Sequence, residues 1–138
     1  MSIVQTQTTS FKKELYTAVH NLSTDTIKIA LYTALADLTA DTTVYSATNE
    51  VSGTGYTAGG QVMTGVAVSS SGYTAYANWA NVSWTAALTA RCALIYNASK
   101  GNKSVAVLDF GSDKTSTTTF TITMPANTST TALIRSSN

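Results

Sequence analysis

Thr89-Ala90-Arg91-Cys92-Ala93-Leu94-Ile95-Tyr96-Asn97 is the stretch that decides the fold. One charge, Arg91, interrupts a run that is otherwise apolar from Ala90 to Tyr96. A short continuous apolar run bounded by turn residues predicts a central strand. Ser99-Lys100-Gly101-Asn102 follows with turn chemistry. Ser104 to Phe110 is a second strong strand, so the two predict a hairpin. Gly111 to Ser116 then reads as a loop.

Strand character continues on both sides. Downstream, Thr119, Thr121 and Thr123 alternate with Phe120, Ile122 and Met124, a strand over 117–124 that the only proline, Pro125, closes. Thr130 to Ser136 is the last strand. Upstream, Tyr73 to Ala77 and Asn78 to Thr85 read as strand, kink, strand, with Trp79 and Trp84 nearby. Gln61 to Ser69 alternates Val62, Thr64, Val66 and Val68 against Met63, Gly65 and Ala67. Thr26 to Thr33 alternates Ile27, Ile29 and Leu31 against Lys28, Ala30 and Tyr32, a strand with one wet face. Ala34 to Asp41 is open between a helical turn and a loop, with Leu35 and Leu38 as anchors. Val44 to Ser52 suggests a short edge strand.

One helix stands apart. Ser10 is a candidate N-cap, and Phe11, Leu15, Val19 and Leu22 recur at helical spacing. The helix is expected to end near Asn21. Residues 1–9 have extended character and form an N-terminal arm that needs a pairing partner to be ordered.

These elements predict an all-β fold: an antiparallel β-sandwich, jelly-roll-like, of about eight strands with one short N-terminal helix. The 138 residues suit a single domain over 10–138 behind the arm. The 26 Thr and 16 Ser supply polarity without charge, and Thr favours a pleated surface. Charged residues are only 11%, against a usual ~25%. Little on such a surface repels a neighbour, which suits a subunit that lives docked on a partner.

Composition also argues against several function classes. Net charge is +1 and the eight Lys and Arg are scattered, so direct nucleic-acid binding is not expected. No apolar run approaches a membrane span, so no membrane partner is expected. The N-terminus lacks a signal-peptide pattern, and synthesis in a reducing cytosol is the expectation. Cys92 is the only cysteine and lies in an apolar run, which reads as a small buried hydrophobe.

The residues carry no enzyme constellation. His20 is the only histidine and lacks metal-ligand company. Asp25, Asp37, Asp41 and Glu50 fall within 26 residues, three of them in loop-like contexts, and their spacing matches no EF-hand. No Gly-x-Ser-x-Gly elbow is present. No catalytic residue, metal site or cofactor is therefore assigned, and the protein is expected not to be an enzyme. Tyr73, Tyr76, Trp79 and Trp84, with Tyr56 before them, leave three readings open: core filling, a protein interface, or a sugar-stacking platform.

Glu50-Val51-Ser52-Gly53-Thr54-Gly55-Tyr56-Thr57-Ala58-Gly59-Gly60-Gln61 holds four of the eight glycines. It opens a stretch without Asp, Glu, Lys or Arg that lasts until Arg91. It lacks the lysine and following helix of a phosphate-binding loop. Its glycines permit positive φ and close backbone approach. An uncharged loop of this kind can lie flush against another protein.

Three segments together carry a resemblance. They are Phe11-Lys12-Lys13-Glu14-Leu15 with the strand Thr26–Thr33, then Thr43-Val44-Tyr45-Ser46-Ala47-Thr48-Asn49-Glu50-Val51, then Ser52 to Gln61. Over about residues 10–65 the chain resembles small virion structural proteins of tailed bacteriophages and prophages. Among these it is most like the capsid cement, or decoration, proteins of short-tailed phages. That resemblance implies a non-enzymatic jelly-roll subunit on the outer surface of the assembled head, made in the host bacterial cytoplasm. It implies the phage major capsid protein as partner and a homodimer on the capsid. A tail, fibre or head-completion subunit is the alternative, and a carbohydrate-binding module a more distant one. The candidate interface residues are Ile3 and Val4 in the arm, expected to add a strand to a partner, and Gly53, Gly55, Tyr56, Thr57, Gly59, Gly60 and Gln61 in the loop.

Overall fold

The computed structural model describes residues 2–137. Its elements, in chain order, are β1 (Thr6–Gln7), α1 (Thr9–Leu15), β2 (Ile27–Tyr32), β3 (Gln61–Val62), β4 (Ala67–Ser71), β5 (Thr74–Asn78), β6 (Val82–Trp84), β7 (Thr89–Asn97), β8 (Lys103–Thr115), β9 (Phe120–Ile122) and β10 (Ile134–Ser136). A 3-10 turn, Ala98–Lys100, joins β7 to β8, and Gly101 closes it with φ 65. All strand pairs are antiparallel. The all-β architecture with one short helix is the one expected. Its ten strands divide into sheets of five, three and two, ordered β1-β8-β7-β2-β3, β10-β5-β4 and β6-β9. A jelly roll places eight strands in two sheets.

β7 is the middle strand of the large sheet, as its apolar run predicts. Pairing with β2 sets Ile29 opposite Ile95 and Leu31 opposite Ala93. Strand alternation then divides the side chains between two faces. Ile27, Ile29, Leu31, Ala93, Ile95 and Ala106 point to one face, where they share a core with Ala77, Trp84, Phe120, Ile122 and Ile134 from the two smaller sheets. Ala30, Tyr32, Cys92, Leu94, Tyr96 and Val107 point to the other, where Ala36 and Leu38 cover them with Ile3 and Tyr45. The expected wet face of β2 is therefore corrected. Ala30 and Tyr32 are buried because the 33–50 connection folds back over them.

Other boundaries differ for identifiable reasons. The N-cap of α1 is Thr8, two residues before Ser10: its hydroxyl accepts from the Phe11 amide at 3.3 Å. The helix stops at Leu15 rather than near Asn21, and Ala18 turns the chain with φ 57. Only Phe11 of its predicted stripe is fully buried within the helix; Leu15 is exposed. Leu38 anchors the 33–50 connection, whereas Leu35 is exposed. The 44–52 edge strand reduces to single bridges, Val44 to Lys103 and Glu50 to Tyr32. The 61–69 strand is broken at Gly65, φ 66, into β3 and β4. β8 runs on through the predicted 111–116 loop, because Lys114 and Thr115 pair with Ala90 and Thr89 beyond a register shift.

Candidate interaction surface

The glycine-rich loop is organised around the carboxylate of Glu50. Its Oε1 accepts the Tyr45 hydroxyl at 2.6 Å. Its Oε2 accepts the Tyr56 hydroxyl at 2.5 Å and the Gly59 amide at 2.8 Å. The Tyr56 oxygen in turn accepts the Leu31 amide of β2 at 2.9 Å. Tyr96 donates to the Gly59 carbonyl at 2.7 Å and stacks on Tyr45 with ring centroids 4.7 Å apart. One carboxylate thus ties the 45–60 segment to the face of the central strands. A carboxylate taking three hydrogen bonds has most of its acceptor capacity satisfied and makes no demand on an outside ligand.

The tyrosines respond to this enclosure. Burial, followed by the Glu50 hydrogen bond or charge, raises the hydroxyl pKa of Tyr45 and Tyr56 well above the ordinary tyrosine value. Burial and Glu50 likewise raise Tyr32, and push Tyr96 up to about 12. All four are held neutral as donors.

The sequence-predicted loop residues accordingly fall into two groups. Tyr56 and Gly59 are buried inside the chain and offer a partner no surface. Gly60, φ 79, lies against β2: a Cβ there would stand 1.7 Å from the Ile29 carbonyl oxygen. Gln61 is half-buried and donates to the Ser83 carbonyl at 2.6 Å. Gly53, Gly55 and Thr57 are exposed. The rim of the loop faces outward while its floor is internal structure.

The arm also folds onto its own chain. Thr6 and Gln7 pair with Val107 and Ala106 on the edge of β8. The Val4 amide donates to the Leu38 carbonyl, and the Leu38 amide to the Ser2 carbonyl, each at 2.9 Å. Ile3 is half-buried and Val4 is exposed. A strand donated to another protein would first have to leave these pairings.

Trp79 and Trp84 are buried, which corrects the sugar-platform reading of these two rings. Trp84 packs between Tyr56 and Phe120, with centroids 6.0 and 6.3 Å away. Tyr73, by contrast, is 90% exposed.

The chemistry-bearing side chains elsewhere are engaged structurally. His20 Nε2 lies 2.8 Å from Glu14 Oε1, and the Asn97 amide donates to His20 Nδ1 at 3.0 Å. The same amide donates to Asp25 at 2.8 Å, and the Asn21 backbone amide donates to Asp25 at 2.9 Å. Desolvation opposes ionisation of Asp25, but the Asn21 and Asn97 bonds, Lys100 and His20 outweigh it and lower its pKa. Burial, then the Asp109 charge, pushes the Cys92 thiol up to about 12, which keeps it un-ionised and unreactive. Among the described residues no group of three or more His, Cys, Asp or Glu is placed to hold a metal ion. No described helix is long and apolar enough to cross a membrane.

What faces solvent is hydroxyl-rich and uncharged over a long span. Residues 51–90 contain no Asp, Glu, Lys or Arg. Their exposed part includes the loop rim and all of β4. An open groove of about 520 Å³ also runs between the far half of β8 and β9, lined by Phe110, Lys114, Thr119, Phe120 and Ile122.

The sequence pattern missed the Glu50 cluster. Its available signal was a lone carboxylate at the edge of a charge-free stretch, with Tyr45 five residues before and Tyr56 six after. Fold and surface together define an all-β antiparallel protein with a braced interior and exposed residues in 51–90 that carry no charge. No protein-family model, curated protein or solved structure matches the chain.

Proposed function

We propose that this protein is a non-enzymatic capsid cement protein. It binds the outer surface of an assembled phage head and stabilises contacts between major capsid subunits. The observation that carries the reading is that the exposed residues of 51–90, the loop rim and β4 among them, carry no charge. Docking such a surface desolvates few charges, so little of the gain from burying apolar area is cancelled. The resemblance of residues 10–65 to phage virion proteins supplies the biological setting.

The mechanism is linkage. A subunit that binds the closed, expanded lattice but not a ruptured one lowers the free energy of the intact shell with each copy bound. The Glu50 clasp suits this role, because a loop already tied to β2 loses little entropy on docking. The surface rim, Gly53, Gly55 and Thr57, is the part of the loop assigned to the shell.

Heating or chelating DNA-filled heads with and without the protein tests the stabilising role. Rupture at a higher temperature in decorated heads is expected. Equal rupture temperatures at full occupancy would count against it.

A further inference from the structure

The β4–β5 hairpin carries an interaction surface of its own. All five residues of β4, Ala67-Val68-Ser69-Ser70-Ser71, are exposed, so neither face of the strand is covered. β4 ends its sheet and pairs only with β5. Its register there is regular, from Ala67 opposite Asn78 to Ser71 opposite Thr74. Gly72, φ 58, and Tyr73 form the two-residue turn. In such a hairpin the pair flanking the turn exchanges hydrogen bonds, and the pairs then alternate. Ser71, Ser69 and Ala67 therefore bond inward to β5. Val68 and Ser70 point their N–H and C=O groups outward along the open edge.

Proteins usually guard such an edge with lysine, proline, a bulge or a covering segment. β4 has none of these. No charged residue occurs in 51–90, and Arg135 of β10 lies two strands away from the open edge, so a second copy brings no like charge against it.

We propose that β4 is a self-association edge, pairing antiparallel with β4 of a second copy about a two-fold axis at Ser69. The outward groups set the register. Val68 of one copy meets Ser70 of the other, two hydrogen-bonded pairs flank the axis, and Ser69 faces Ser69 at a non-hydrogen-bonded position. The two three-stranded sheets become one six-stranded sheet. A copy of the same chain is the occupant favoured here, because β4 carries no charge to repel its own copy and all five of its exposed residues pair in this register. The inference rests on the proposed function only for the meaning of the dimer. It is read on the isolated protein, so failure of self-association leaves capsid binding standing, and the reverse holds too.

Facing side chains at a non-hydrogen-bonded site have Cβ atoms roughly 4.5–5.5 Å apart, within reach of a disulfide after a small shift. Mild oxidation of the full-length Ser69→Cys variant should give a disulfide-linked dimer on a non-reducing gel, with Ser112→Cys on exposed β8 as the collision control. The native Cys92 is fully buried and stays out of the reaction. Val68→Pro removes an outward N–H without touching a β4–β5 bond, and should weaken self-association in sedimentation by about tenfold. Ser70→Lys should act likewise through like-charge repulsion, and serves if the proline variant fails to fold. A chain that stays monomeric at high concentration and gives no Ser69→Cys dimer overturns the proposal. So does cross-linking that is equal at Ser69→Cys and Ser112→Cys.

Discussion

The Tyr56 hydroxyl donates to Glu50 at 2.5 Å and at the same oxygen accepts the Leu31 amide at 2.9 Å. That one oxygen joins the glycine-rich loop, the only charge near it in sequence, and the backbone of a central strand. Replacing Glu50 with Gln keeps the size but removes the charge and half of the acceptor capacity. A loss of about 2–3 kcal/mol is expected, since bonds to charged groups contribute more than neutral ones. Tyr56→Phe should cost about 1–2 kcal/mol by the same reasoning. Urea unfolding of both variants checks this; two wild-type midpoints would remove the clasp from the account.

Gly60 and Gly72 both have positive φ, yet they should respond differently to alanine. At Gly60 a Cβ meets the Ile29 carbonyl at 1.7 Å, and backbone must move. Gly60→Ala is expected to cost about 3 kcal/mol or more. At Gly72 a Cβ meets nothing within 4 Å, so Gly72→Ala should cost only about 1 kcal/mol, the left-handed penalty alone. Thermal melts of the pair measure the difference, and equal losses would contradict the close approach.

Acid should act through Asp25. Its folded pKa lies below the ordinary aspartate value of 3.8, so its contribution is present above that pH and is lost as pH falls through the folded value. Asp25→Ala leaves the Asn97 and Asn21 donors without this acceptor and should cost about 1–3 kcal/mol at pH 7. The gap from wild type should narrow below pH 3.8. A gap independent of pH would mean that the charge contributes nothing.

Alkali should act through Tyr32, Tyr45, Tyr56 and Tyr96. Their folded pKa values are raised, so they favour the native state below the ordinary value of 10. That contribution falls as pH rises above 10, because the unfolded chain releases the protons first. The tyrosinate absorbance of these residues should appear together with loss of near-ultraviolet circular dichroism. Full ionisation of all tyrosines in a still-folded protein would contradict the buried cluster.

Much of the fold was legible in sequence because period and apolarity act locally. The bounds of β7 were read correctly at Thr89–Asn97, and its central place followed from its apolar run. The end of β8 was not legible: Gly111-Ser112-Asp113-Lys114 has loop chemistry, and pairing with Thr89 and Ala90 overrides it. The second buried face of β2 was hidden because its cover, residues 33–50, is irregular and has no period. At the candidate surface the exposed rim followed from composition. Burial of Tyr56 and Gly59 did not, because a carboxylate forty-six residues before Tyr96 gives no local sign that both close on the same loop.

Binding to assembled heads tests the central claim most directly. Purified protein would be mixed with mature phage heads lacking it, and with unassembled major capsid protein, then sedimented and quantified by mass spectrometry. The cement reading expects saturable binding to heads at a fixed ratio to the major capsid protein, and none to unassembled subunits. A handful of copies per particle, or equal binding to free subunits, would contradict it.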